Sequence, residues 1–112
     1  EEQRATRSAK MQAGLKTAIR VPLKTMQLGD QTWDALCALA RHGNIASWSD
    51  IVVGARALEV GIWGAYQNVL INLEGIRDEA FRDEILAQAE ALAARAAARK
   101  DEVLAILAQR RS

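Results

Sequence analysis

The sequence has little of several residue types, and each scarcity narrows what the protein can be. Its 112 residues include one cysteine, one histidine and one proline, and aromatic residues make up only 4%. A single cysteine cannot form an internal disulfide, which favours a reducing compartment, the cytoplasm. One histidine and one cysteine cannot supply the clustered ligands of a metal site, so no metal is predicted. The net charge of +1 gives no bulk attraction to nucleic acid or to an anionic membrane.

What remains is the composition of a helical domain. Apolar residues make up 50% of the chain and charged residues 26%. Alanine is abundant, and alanine favours helix over sheet. A chain of this length suffices for one domain and not for two. The composition therefore predicts an all-α fold, a multihelical bundle.

The most apolar stretch runs from Asp50 to Leu73, and its only charges after Asp50 are Arg56 and Glu59. A helix that is apolar on nearly every side is expected to be buried on every side. We therefore predict a long buried central helix over about residues 48–74. The stretch is long enough to span a membrane. Because its two charges would each cost up to ~3 kcal/mol at membrane depth, we reject that alternative.

One stripe along the central helix carries only small and polar residues, which share a face because they recur every three or four positions. They are Asp50, Gly54, Ala57, Gly61, Gly64 or Ala65, Asn68 and Asn72. Small residues allow another helix to approach closely, and the polar ends need partners when they are buried. We expect this face to meet a pocket or a subunit interface, covered by further chain, by a partner subunit, or by both.

A second long helix is predicted upstream, over about residues 3–42. Its apolar residues keep a helical spacing throughout, in spite of Pro22. This pattern indicates one helix kinked near Pro22. A break at residues 19–21 is the alternative, because residues that precede proline avoid the helical conformation.

The third long helix is predicted downstream, over about residues 78–110. The acidic residues Asp78 and Glu79 open it, and an alanine-rich section follows at residues 87–99. At more than 30 residues it would be long for a globular protein. It could therefore reach across to another subunit.

A few polar residues are candidates for a site. Lys16, Arg20 and Lys24 form a basic row, which is either a solvated helix face or a strip that binds a carboxylate-bearing ligand. Five further candidates are Asn44, Ser49, Asp50, Asn68 and Asn72. Each asparagine could instead form a buried structural hydrogen bond. The two ends of the central helix lie roughly 27 Å apart, so its two polar groups cannot contact one small ligand along a single helix.

Asp50 also has an ordinary structural interpretation. Ser47 and Asp50 have the spacing of a capping box at the start of the central helix, although Ser49 could be the cap instead. In either case Asp50 lies in the first turn, where the helix dipole favours a carboxylate.

Five strings occur in order along the chain: VPL at 21–23, GN at 43–44, SD at 49–50, GAYQNVLINL at 64–73 and DEAF at 78–81. Taken together they resemble the cyclodeaminase/cyclohydrolase family, and most closely the cyclodeaminase domain of formimidoyltransferase-cyclodeaminase. The similarity runs through most of residues 10–100. Its most specific part is ARALEVGIWGAYQNVLINL, which resembles the central helix of that domain.

The resemblance implies a helical domain that forms a homodimer or higher oligomer, with folate pockets at or near the subunit contact. It implies conversion of 5-formimidoyltetrahydrofolate to 5,10-methenyltetrahydrofolate and ammonia, with no cofactor and with a formimidoyltransferase domain as a further partner. The implied substrate-binding residues are Asn44, Ser49, Asp50, Asn68 and Asn72, with Lys16 and Arg20 at the glutamate tail of the folate.

The family's domain also has a Gly-rich opening and a helix with a D-x-x-A-aromatic pattern, to which nothing in this sequence corresponds. The resemblance therefore implies that residues 1–112 are the C-terminal portion of one domain, inactive alone, with no catalytic residue expected except Asp50 as a candidate. Two alternatives remain open. One is a methenyltetrahydrofolate cyclohydrolase, and the other is a non-catalytic helical oligomerisation module.

Overall fold

The structure, a computed structural model of residues 1–112, contains helices and no strands. Its elements are α1 (Glu2–Asp30), α2 (Trp33–His42), a short 3-10 turn (Ile45–Ser47), α3 (Trp48–Leu73) and α4 (Glu79–Arg111). The all-α prediction is confirmed. The bounds predicted for the central and last helices are each correct to within one residue.

The prediction of one helix over residues 3–42 is wrong, because two helices meet at Gln31 and Thr32. The Thr32 N–H donates to the carbonyl of Gly29 at 3.0 Å, three residues back instead of four. The Thr32 hydroxyl donates to the carbonyl of Leu28 at 3.1 Å. Since Gln31 and Thr32 both keep right-handed helical angles, the apolar spacing continues across the interruption and conceals it in the sequence.

Pro22 lies inside α1 and does not end it, so the alternative break at residues 19–21 is also absent. Proline in a helix interior costs about 3 kcal/mol. Ile19, Leu23 and Met26 surround it and are buried in the core. Each such side chain contributes about 1.5–3 kcal/mol when it is buried, so their packing outweighs the local cost of the proline.

Helix α3 runs antiparallel to the two rods that flank it. One rod is α1 followed by α2, and the other is α4. Along α1, Leu15 lies beside Gly75 just beyond the end of α3, whereas Gly29 lies beside Ile62. Helices α1 and α2 lie one after the other along α4 and run in the same direction as α4. Three successive ion pairs show this direction: Asp30 with Arg95, Asp34 with Arg99, and Arg41 with Glu102. The result is a three-rod bundle that measures 69 × 18 × 16 Å.

The core is a stripe of α3 packed against its two neighbours. The buried residues of α3 are Ile51, Ala55, Ile62, Ala65, Val69 and Leu73. On the opposite side Val53, Val60, Trp63 and Ile71 are between 55% and 65% exposed. The prediction that α3 is buried on every side is therefore wrong for the helices of this chain, because two neighbouring rods cover only part of its circumference.

The small residues of α3 border this exposed side. A Cβ added at Gly54, Gly61 or Gly64 would meet no atom within 4 Å, so no helix of this chain approaches them closely. The stripe is open in the structure. No helix combines the length and the apolar character that crossing a membrane requires, in agreement with the rejection of a membrane span.

A substitution at Gly29 tests the packing of α1 on α3. A Cβ at this position would lie 2.7 Å from Cγ1 of the buried Ile62. We predict that Gly29→Ala lowers the free energy of unfolding by about 1–3 kcal/mol, because the added methyl overpacks the contact. Urea denaturation measures the change.

Gly14 provides the matched control, because it lies in the same helix and an added Cβ there would meet nothing within 4 Å. Gly14→Ala is expected to raise the stability by up to about 1 kcal/mol through helix propensity alone. A Gly29→Ala variant as stable as Gly14→Ala would contradict the α1–α3 contact.

Candidate functional site

A groove of about 440 Å³ runs between α1 and α3 and brings together two of the strings noted in the sequence. Its α1 wall contains Val21 and Pro22, from the first string. Its α3 wall contains Gly64, Asn68 and Asn72, from the fourth. The full lining is Ala18, Val21, Pro22, Thr25, Gly61, Gly64, Ala65, Asn68 and Asn72. Segments more than thirty residues apart thus form a single concave surface.

Two asparagines supply the side-chain amides of the groove. The side-chain amide of Asn72 donates to the backbone carbonyl of Asn68 at 2.8 Å, one turn back along α3. This bond leaves the Oδ1 atom of Asn72 free, and the side-chain amide of Asn68 forms no hydrogen bond within the chain. Neither side chain bonds to a neighbouring helix, so the alternative that they brace the bundle is not what the structure shows.

Pro22 leaves one backbone carbonyl of α1 without its usual helical partner. Because proline has no N–H, the helical hydrogen bond from residue 22 to the carbonyl of Ala18 cannot form. Ala18 and Pro22 both line the groove. The lining contains no titratable side chain. Its chemistry is therefore that of amides, carbonyls and the hydroxyl of Thr25, which can bind and orient a ligand but cannot exchange protons with it near neutral pH.

Asn44, Ser49 and Asp50 lie at the other end of α3 and do not line the groove. The Oδ1 atom of Asn44 accepts from the Ala46 N–H at 3.0 Å and so caps the short 3-10 turn. Ser49 and Asp50 are exposed in the first turn of α3. The five predicted residues thus form two separate groups, as the distance along the helix predicted.

The capping box predicted for Ser47 and Asp50 is wrong. Ser47 occupies the N-cap position, but its side chain forms no capping hydrogen bond. A capping residue needs an extended backbone. Ser47 instead has φ −93° and ψ 17°, because it is still the last residue of the 3-10 turn. The only side-chain cap near this point is that of Asn44, which caps the 3-10 turn and not α3.

Lys16 and Arg20 lie in different surroundings. The Nζ atom of Lys16 lies 2.7 Å from the Oδ2 atom of Asp78 and 5.1 Å from the centre of the Phe81 ring. Arg20 forms no ion pair and, with Lys24, lines a second groove of about 850 Å³ between α1 and α4. The charge of Lys16 is therefore already paired within the fold, whereas that of Arg20 is free.

The carboxylate of Asp78 accepts two hydrogen bonds. Its Oδ1 atom accepts from the Phe81 N–H at 3.1 Å and caps α4, while Oδ2 accepts from Lys16. The hydrogen bond from Lys16 lowers the pKa of Asp78, and the backbone N–H of Phe81 lowers it further. The DEAF string thus joins the start of α4 to α1.

The lowered pKa of Asp78 makes stability depend on pH in one direction. A carboxylate whose pKa is lowered by folding stabilises the folded state at a pH above its ordinary pKa, which is 3.8 for this group. That stabilisation is lost as the pH falls through the lowered pKa of the folded state. Asp78→Asn cannot ionise. We predict that its free energy of unfolding falls less steeply than that of the wild type between about pH 5 and pH 2, as measured by urea denaturation.

Asp83 is the control for this titration, since it is exposed on the same helix and forms no hydrogen bond or ion pair. Asp83→Asn should follow the wild-type slope. Identical slopes for Asp78→Asn and Asp83→Asn would show that the bond with Lys16 does not stabilise the fold.

Comparison with known proteins gives a consistent set of similarities. The family model described as formiminotransferase-cyclodeaminase matches residues 1–91. Formimidoyltransferase-cyclodeaminase of Gallus gallus is 43% identical over 109 residues, or 97% of this chain and 20% of that protein. The protein of the same name from Rattus norvegicus is 46% identical over 83 residues, or 74% of this chain and 15% of that protein.

A protein of a different name is also similar. Methenyltetrahydrofolate cyclohydrolase of Methylorubrum extorquens is 35% identical over 103 residues, or 92% of this chain and 50% of that protein. The chain thus spans a fifth or less of the two transferase-cyclodeaminases and half of the cyclohydrolase.

Proposed function

The chain belongs to the formiminotransferase-cyclodeaminase family, and we propose that it forms part of the folate site of a cyclodeaminase. The whole enzyme would convert 5-formimidoyltetrahydrofolate to 5,10-methenyltetrahydrofolate and ammonia. One observation carries the proposal: the two strings that line the α1–α3 groove are among those by which the sequence resembles this family.

The chemistry of the groove suits the pterin ring of a folate. One edge of that ring carries an N–H and an amino group beside a carbonyl. The free amide of Asn68 can pair with such an edge through one donor and one acceptor. The carbonyl of Ala18 supplies a second acceptor, and Val21 and Pro22 offer apolar contact to the ring faces. Small-molecule sites usually have volumes of about 300–1,000 Å³, a range that includes this groove.

The reaction needs binding and proton transfer, and the groove supports the first of these. The N10 amine of the folate attacks the formimidoyl carbon and loses its proton. The carbon–nitrogen bond to the imino nitrogen then breaks, and that nitrogen leaves as ammonia after it is protonated. Holding N10 close to the carbon is a task for amides and apolar walls. Moving the protons requires a titratable group from outside the groove.

A homodimer would bring a carboxylate to the groove. If two copies of α3 pair antiparallel through their exposed sides, Asp50 of one copy comes near Asn68 of the other. The exposed Val53, Val60 and Ile71 give this side an apolar surface, and Gly64 lets a second helix approach closely. In this arrangement the two polar groups of α3 form one site at the subunit contact.

Binding of 5-formyltetrahydrofolate, a stable analogue of the substrate, tests the groove. We predict that Asn68→Ala weakens binding by the chain about threefold to tenfold, the effect of losing one or two hydrogen bonds. Isothermal calorimetry measures the affinity. Gln88→Ala removes an amide from the second groove, beside α4, and should bind as the wild type does. If Gln88→Ala weakens binding and Asn68→Ala does not, the folate lies in the second groove.

The oligomeric state tests the role of the exposed side of α3. We predict that the wild type forms a dimer in sedimentation equilibrium. Val60→Lys should be monomeric with unchanged helix content, because Val60 is 60% exposed within one chain and a charge there would be buried only in the dimer. Leu39→Lys, an exposed apolar position on α2, is the control and should dimerise. A dimer that survives Val60→Lys would contradict this interface.

The similarity to a methenyltetrahydrofolate cyclohydrolase supports a second candidate function, in which water opens the methenyl ring at the same groove. An assay of ammonia release against ring opening, with the whole protein, separates the two reactions. A third candidate is a helical oligomerisation module without catalysis, which the exposed apolar side of α3 would also suit. Dimerisation without any binding of 5-formyltetrahydrofolate would favour that role. For the enzyme, we further propose a cytoplasmic location and a formimidoyltransferase domain as partner.

A further inference from the structure

Two arginines in the last turn of α4 contact both the end of α2 and the start of α3. The guanidinium of Arg110 donates to the carbonyl of Ala40 at 2.7 Å and to that of Gly43 at 2.9 Å. The guanidinium of Arg111 lies 3.4 Å from the centre of the Trp48 ring, at the start of α3. Both arginines lie beyond residues 1–91, the part that the family model matches.

The bonds from Arg110 give hydrogen-bond partners to carbonyls at the end of α2. The last carbonyls of a helix have no partner within it and carry partial negative charge, so a cation that bonds to them is favoured. The fork of a guanidinium can reach two carbonyls at once. Gly43 allows the chain to turn at this point, because a Cβ there would lie 2.5 Å from the carbonyl oxygen of Leu39.

The turn has few other attachments to the bundle. Asn44 bonds only within the turn, where its Oδ1 atom accepts from the Ala46 N–H and its carbonyl from the Ser47 N–H. Ile45 and Trp48 are only partly buried against the core. Beyond the packing of Ile51 at the start of α3, the turn and the exposed residues beside it, Asn44 and Asp50, are held by Arg110 at the end of α2 and by Arg111 at the start of α3.

We propose that Arg110 and Arg111 are positioning residues that hold Asn44 and Asp50 in place for the folate site. The inference rests on the proposed function, in which Asp50 reaches the substrate. It assigns to the end of α4 a role that neither the spacing of the sequence nor the matched family region indicates.

The test compares Arg110→Ala and Arg111→Ala with the wild type and with Arg95→Ala. Arg95 is an arginine of the same helix that forms an ion pair with Asp30 at 2.9 Å and does not contact the turn. Three quantities are measured: amide hydrogen exchange over residues 43–50, the ¹⁹F shift of 5-fluorotryptophan at position 48, and the affinity for 5-formyltetrahydrofolate. The other two tryptophan signals, from Trp33 and Trp63, serve as internal references.

We expect exchange over residues 43–50 to accelerate about tenfold or more in Arg110→Ala and Arg111→Ala, but not in Arg95→Ala. Arg111→Ala should shift the signal of Trp48 alone. Affinity for 5-formyltetrahydrofolate should fall about fivefold in both variants, while the helix content stays that of the wild type.

Wild-type exchange rates in both variants would overturn the proposal. Faster exchange with wild-type affinity would also overturn it, since the arginines would then brace the fold without positioning the site. If the wild type does not bind 5-formyltetrahydrofolate, the proposed function fails for this chain. The exchange and ¹⁹F measurements then still decide whether the arginines hold the turn, since they require no ligand.

Discussion

The close contact between Gly29 of α1 and Ile62 of α3 sets the register of the two helices, and the candidate site depends on that register. Only a residue without a Cβ can lie so near the isoleucine side chain, since an added Cβ would be 2.7 Å from Cγ1. With this contact fixed, the antiparallel course of the helices places Pro22 beside Asn68 in one groove. A slip of one helical turn, about 5.4 Å, would separate them.

Helix α3 has one side buried in the core and one side exposed to solvent. One side packs between α1 and α4 and supplies a third of the core, six of the chain's eighteen buried residues. The other side leaves Val60, Trp63 and Ile71 largely exposed, and exposed apolar patches of this kind commonly mark sites of association. The groove with Asn68 lies where the two sides meet. A partner on the exposed side would therefore also cover the groove.

Local features could be predicted from the sequence, and features that depend on tertiary packing could not. Apolar spacing predicted the central and last helices, because that spacing reflects each helix's own geometry. It also placed Asn68 and Asn72 on one face. The interruption at Thr32 was missed because the backbone stays helical there. The bond from Lys16 to Asp78 joins residues 62 positions apart, so no local pattern could show that the lysine is already paired.

The register between α1 and α3 is the central claim, and proton–proton contacts measured by NMR test it most directly. The structure predicts nuclear Overhauser effects between the Gly29 α protons and the Ile62 methyl groups, and between the Leu15 methyl groups and the Gly75 α protons. Both pairs should give cross-peaks in the wild-type chain. Their absence, together with contacts from Gly29 to residues a turn or more away from Ile62, would contradict the register and the groove that depends on it.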